Sequence, residues 1–147
     1  MARILVIDDE RLICDMLRTV LTQRKHDVFT ALGGAQALQL FRERRPQFTL
    51  LDLRMPDMNG IEVLREIRKI DLRAPVMMLT GWGTDEMEKD ARALGVSDFV
   101  CKGLSLEMLV TTVDRILQRQ NGNKLLELIN TKAEADASIS QNEKERP

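Results

Sequence analysis

Four hydrophobic runs in this 147-residue chain each end on a residue able to take part in phosphate chemistry. Ile4-Leu5-Val6-Ile7 runs into Asp8-Asp9, Phe48-Thr49-Leu50-Leu51 into Asp52, Val76-Met77-Met78-Leu79 into Thr80, and Phe99-Val100-Cys101 into Lys102. Apolar runs this short, bounded by turn formers, fit strands buried on both faces of a parallel sheet. The segments between them carry helical spacing. Leu12, Ile13, Met16, Leu17, Val20 and Leu21 form one wide apolar stripe directly after the acidic doublet. Asp27 to Ala31 alternates polar and apolar and suits a half-exposed edge strand, and Gly33-Gly34 opens a second helix that stops before Pro46. After Asp52 comes a turn-rich loop, Leu53 to Gly60, then a helix with Ile61, Leu64 and Ile67 on one face. Thr84 caps the next helix, whose apolar positions, Met87, Ala91 and Leu94, are sparse, which makes it the most loosely held. Gly95 ends it, and Ser105 caps a final helix bearing Leu109, Val113, Ile116 and Leu117. Regular alternation of strand and helix predicts an α/β fold: a doubly wound parallel sheet of five strands with helices on both faces.

In such a sheet the carboxyl ends of the strands share one edge, where ligands bind. Asp8, Asp9, Asp52, Thr80 and Lys102 then converge on one shallow pocket. Carboxylates about 4 to 6 Å apart repel by several kcal/mol per close pair even at an effective dielectric near 20, so a cation belongs there. A hard divalent ion such as Mg²⁺ takes carboxylate and carbonyl oxygens and keeps positions open for water or phosphate. Asp52, with its own strand end and a loop behind it, is the best nucleophile. Asp8 and Asp9 are neighbours on a strand and point to opposite sides, so one would bind metal directly and the other through water. Lys102 would supply positive charge to one phosphoryl oxygen and the Thr80 hydroxyl a hydrogen bond to another. Each residue alone is a commonplace of loops and caps, and only the ordered combination carries the reading.

A chain of this length with 44% hydrophobic residues suffices for one core-bearing domain and is short for two. A net charge of −1 supplies no basic field for nucleic acid. The longest apolar runs fall far below membrane-spanning length, and Met1-Ala2-Arg3 leads into a strand-like run without a signal-peptide pattern, which reads as cytoplasmic. Cys14 and Cys101 lack metal-ligand spacing to each other or to His26, the one histidine, and read as reduced thiols.

The chain resembles the receiver domain of two-component response regulators, the family that includes the chemotaxis regulator, over about residues 3 to 119. The resemblance rests on Asp8-Asp9, on Asp52 followed by Met55-Pro56 and Asn59-Gly60, on Thr80-Gly81, and on Phe99 three residues before Lys102. It implies a flavodoxin-like strand order of 2-1-3-4-5 and transfer of phosphate to Asp52 from the phosphohistidine of a sensor histidine kinase or phosphotransfer protein. It also implies Mg²⁺ held by Asp9, Asp52 and the main-chain carbonyl of Arg54, with Asp8 acting through water. Thr80 would move toward the phosphoryl group and Phe99 would turn inward behind it. The face of the fourth helix, fifth strand and fifth helix would then change its preference for a downstream effector, an output domain or a second copy of the chain. Such a protein is a switch, catalysing only its own phosphorylation and dephosphorylation. In this family the side chains at Arg54 and Trp82 flank the path of the hydrolytic water, and a bulky Trp82 implies slow loss of phosphate.

Two positions depart from the family pattern. Lys102 is followed by Gly103 where the family usually has proline, and a cis peptide without proline costs about 2.5 to 4 kcal/mol. Phe99 lacks the hydroxyl of the tyrosine often found there. A haloacid dehalogenase-type phosphatase shares the aspartyl chemistry, but its signature is Asp-x-Asp, whereas this chain reads Asp8-Asp9-Glu10 and has no room for a cap domain. A receiver-like module that acts without phosphorylation is the other alternative, and the complete acid, threonine and lysine set argues against it. Residues 1 to 119 form the expected domain. Residues 120 to 147 read as a tail or linker stub: Asn121-Gly122-Asn123 interrupts the helical pattern, Leu125, Leu128 and Ile129 restore a short apolar face, and from Thr131 onward the composition favours disorder.

Overall fold

In a computed structural model the chain is described throughout except at Trp82, Leu104 and residues 145–147; the side chains of Cys101, Lys124 and 138–144 are likewise outside the described set. The elements alternate as β1 (Arg3–Ile7), α1 (Arg11–Gln23), β2 (Asp27–Ala31), α2 (Gly34–Arg44), β3 (Phe48–Leu51), α3 (Gly60–Ile70), β4 (Val76–Thr80), α4 (Asp85–Ala93), β5 (Asp98–Cys101) and α5 (Leu106–Lys144). All strand pairs are parallel, in the order β2-β1-β3-β4-β5, as the resemblance implied. The continuous apolar runs are the inner strands: every residue of β3 and β4 is buried, as is all of β1 after Arg3. The alternating segment is the half-exposed edge, β2.

The helices form where their start signals predict. Thr84 Oγ1 accepts from the Met87 N–H at 3.2 Å and Ser105 Oγ from Met108 N–H at 3.2 Å. Gly95 takes φ of +76° just past α4, a left-handed position that favours glycine. The apolar face of α1 is narrower than its sequence stripe: Cys14, Leu17 and Leu21 are buried, while Leu12 and Met16 lie exposed. Leu5, Ile7, Leu51, Leu64, Ile67 and Phe41 anchor the main core cluster, which joins α2 and α3 to the sheet.

The chain forms two compact units, Met1–Val110 and Thr111–Pro147. Helix α5 runs through Asn121-Gly122-Asn123, where the pattern suggested an interruption, and on to Lys144. A single glycine weakens a helix by only about 1 kcal/mol, and the Leu125-Leu126-Glu127-Leu128 stretch beyond it is made of strong helix formers. Leu125, Leu126, Leu128 and Ile129 are exposed on this part of the helix. No helix among the described residues is long and apolar enough to cross a membrane.

Candidate functional site

The sheet's own ladders bring the polar strand ends together. Asp8 N–H donates to the Ala31 carbonyl at 3.1 Å, Asp52 N–H to Ile7 at 2.9 Å, and Lys102 N–H to Thr80 at 2.8 Å. Each bond extends a strand pairing by one residue beyond the strand, and so holds the backbone of each site residue in register. Because Ile7 pairs with Leu51 and Thr80 with Cys101, Asp8 and Asp52 are neighbours across one gap and Thr80 and Lys102 across another.

Asp8, Asp52 and Thr80 are buried to 5% exposure or less, whereas Asp9 and Glu10 are exposed, consistent with adjacent strand-end residues facing different ways. The Lys102 ammonium lies 2.9 Å from Asp8 Oδ2, 3.4 Å from Asp52 Oδ2 and 3.4 Å from Glu10 Oε1. Burial pushes the Asp52 carboxyl up to about 6, helped by the neighbouring Asp8 charge and opposed by Lys102 and the Arg54 main-chain N–H that bonds it. Asp8 is raised as well, again chiefly by burial. Burial alone would depress Lys102, but its bond to Asp8 and the charges of Asp8, Asp52 and Glu10 raise it above the usual lysine value. Lys102 is therefore a fixed cation among acids, and Asp52 is a carboxylate of raised basicity that is still largely ionised at neutral pH.

The loop behind Asp52 is built tightly around it. A Cβ on Gly60 would overlap the Asp52 carbonyl oxygen and come 2.9 Å from Leu53 Cα, so only glycine lets α3 begin this close. Asn59 caps that helix by accepting from Glu62 N–H at 2.9 Å. Arg54 is exposed on the same loop, two residues past Asp52. Phe99 is half-buried against the main core cluster, in register with Met78. Trp82 lies outside the described residues. No peptide bond among the described residues is cis.

Ligand oxygens of Asp8, Asp9 and Glu10 all lie within 4.8 Å of one another. An all-carboxylate donor set beside a further buried carboxylate, Asp52, fits a hard divalent cation by its chemistry. Glu10 is the site residue that strand-end reasoning passed over, although the run Asp8-Asp9-Glu10 was there to be read. It stands at the N-cap of α1 without capping it through its side chain, and that side chain turns to Lys102 instead. Asp57 is a second: its carboxylate accepts from Gly34 N–H at 3.0 Å and Ala35 N–H at 3.1 Å, tying the loop behind Asp52 to the start of α2.

Residues 4–114 match the family model of the response regulator receiver domain. The chain belongs to that family. Among curated relatives, this receiver is 37% identical over 122 residues to the regulatory protein AtoC of Escherichia coli (strain K12), covering 83% of this chain and 26% of AtoC. It is 32% identical over 116 residues to the chemotaxis protein CheY of Bacillus subtilis (strain 168), covering 78% of this chain and 97% of CheY. The signal receiver domain of a putative Luxo repressor protein from Vibrio parahaemolyticus superposes with a TM-score of 0.79 at 28% identity, covering 86% of this chain and 97% of that one. The receiver thus spans about a quarter of AtoC and nearly all of CheY. Receiver domains are signalling modules of two-component response regulators, and this membership displaces the haloacid dehalogenase alternative.

Proposed function

We propose that this receiver accepts a phosphoryl group on Asp52 from the phosphohistidine of a sensor histidine kinase or phosphotransfer protein, and that the event resets a partner-binding face. The observation that carries the reading is the Lys102 ammonium bridging the buried pair Asp8 and Asp52 at the carboxyl edge of the sheet. An Asp52 Oδ attacks phosphorus, the P–N bond breaks, and its electron pair returns to the imidazole nitrogen, which takes up a proton. Phosphoryl transfer leaves the protein little to do beyond positioning and neutralising charge. Lys102 neutralises one phosphoryl oxygen and the Thr80 hydroxyl bonds another. Asp9, Asp52 and the Arg54 carbonyl, with Asp8 through water, would hold Mg²⁺, which when bound offsets the negative charge of acids and phosphate. Residues 1–119 carry this function, with 120–147 a tail or linker. Thr80 and Phe99 act as the switch, and the face of α4, β5 and the start of α5 is where a downstream effector, an output domain or a second copy would be selected. A chain of this kind works in the cytoplasm, without contact to nucleic acid or membrane.

Intact-mass measurement after incubation with acetyl phosphate tests the reading. One added phosphoryl group is expected with Mg²⁺ and little without it, and Asp52→Asn should abolish the addition. Labelling of Asp52→Asn to the parent's extent would overturn the assignment of Asp52.

A further inference from the structure

The loop between β4 and α4 contains a glycine that its backbone does not require. Gly83 lies outside the left-handed region, so any residue could adopt its conformation. A Cβ placed on it, however, would come 2.8 Å from Phe99 Cζ and 2.9 Å from Phe99 Cε1, closer than real Cβ contacts come, and 3.3 Å from Thr80 Cγ2. The need for glycine is therefore set by the Phe99 ring. Thr80 and Phe99 are brought to this point by adjacent strands, with Met78 paired to Phe99 and Thr80 to Cys101. The space left by one missing side chain touches both.

We propose that Gly83 is a positioning residue for the switch: its bare α-carbon forms the slot that seats the Phe99 ring under the β4–α4 loop and couples Thr80 to α4. The proposal rests on Thr80 and Phe99 being the switch pair. When Thr80 shifts toward Asp52, its methyl leaves the slot and the ring gains room, so the loop can settle without steric cost. Filling the slot has the opposite effect, since the ring and the loop can no longer occupy their places together. The loop gives way more readily than the strand. Only Ala91 of α4 is buried, and the far end of the helix is tied down by Arg68, which donates to the Leu94 carbonyl at 2.6 Å and the Gly95 carbonyl at 3.1 Å. Displacement at position 83 therefore appears at the N-terminal end of α4, nearest the loop.

Amide exchange of the full chain without phosphate, for the parent, Gly83→Ala and Gly83→Ala/Phe99→Leu, tests this. Gly83→Ala should speed exchange several-fold over residues 84–90 while leaving 60–70 unchanged. Leucine lacks both Cε1 and Cζ, so adding Phe99→Leu should return 84–90 to near the parent rate. Parent-like exchange in Gly83→Ala, or a double variant as fast as Gly83→Ala alone, would overturn the slot. If Gly83→Ala does not fold, a folded double variant supports the proposal and an unfolded one overturns it. Acetyl phosphate labelling, run alongside, keeps the readings apart: failure of the parent to label counts against phosphorylation at Asp52, while exchange without phosphate judges the slot.

Discussion

Helices α3 and α4 lie on the same sheet and are started by the same device. Each follows a strand that delivers a site residue, Asp52 from β3 and Thr80 from β4, and each opens on a side-chain cap, Asn59 or Thr84. They differ in what holds them down. Helix α3 buries Ile61, Val63, Leu64, Ile67 and Arg68 as well as its first glycine, whereas α4 buries Ala91 alone and is otherwise largely charged. The loop behind Asp52, the proposed phosphoacceptor, is thus backed by a helix packed into the core. The helix beside the proposed switch is held by few apolar contacts, so it can rearrange at small free-energy cost.

Matched truncations test this contrast most strongly. Leu64 is fully buried in the main cluster, so Leu64→Ala should destabilise the protein by about 2 to 5 kcal/mol through lost burial and the cavity left behind. Met87 is only partly buried against that cluster, and Met87→Ala should cost about 1 kcal/mol or less. Urea unfolding of the two variants beside the parent gives the numbers. Equal losses would mean that α4 is as firmly built in as α3.

Arg68 links the two helices. The residue is 8% exposed, and its guanidinium meets carbonyls rather than a carboxylate: Leu94 at 2.6 Å, Ala74 at 2.7 Å, Gly95 at 3.1 Å and Asp71 at 3.4 Å. Burial lowers its pKa from the ordinary arginine value, with the Asp71 charge opposing. The carbonyls of Leu94 and Gly95 close the C-terminal end of α4, where a cation also complements the helix dipole. Arg68→Met should cost about 1.5 to 3 kcal/mol, the range for hydrogen bonds to a charged group, and should speed amide exchange at residues 91–95 more than at 60–66. Loss of stability with uniform exchange would show that Arg68 merely fills space.

These two predictions also mark what the sequence discloses. The alternation of elements, the buried and edge strands, the caps at Thr84 and Ser105 and the convergence of Asp8, Asp52 and Lys102 were legible, because each depends on local period or on a strand's last residue. Arg68 was not: a charged residue within an amphipathic helix reads as exposed, and only the placement of α4 and β4 around it supplies the carbonyls that let it be buried. The Asp57 cap on α2 was illegible for the same reason, since its donors stand 23 and 22 residues earlier. Gly83 was equally illegible, because the ring that demands it arrives from another strand. The continuity of α5 escaped for a different reason: one Gly between two Asn looks like an end when weighed without the helix formers on either side.

The smallest expected effect separates a charged tether on the α3 side from a neutral one on the α4 side. The Gly34 and Ala35 N–H groups hold the Asp57 carboxyl below the usual aspartate value. A group whose pKa is depressed in the folded state contributes stability above its unfolded value, and that contribution disappears as pH falls through the folded one. Asp57→Ala should therefore be less stable than the parent at neutral pH, and the gap should begin to narrow as the pH drops below about 4, the unfolded aspartate range, and vanish below the folded value. The α4 cap behaves otherwise, because Thr84 Oγ1 accepts from Met87 N–H without carrying charge. Thr84→Ala should cost about 1 kcal/mol, and its gap from the parent should not change with pH on account of the cap. Urea midpoints of the parent and both variants, taken at pH 7, 5 and 3, decide it. An Asp57→Ala gap that stays constant down to pH 3 would show that the carboxylate's charge contributes nothing to holding the β3–α3 loop against α2, and that the two loops differ only in how their helices are packed.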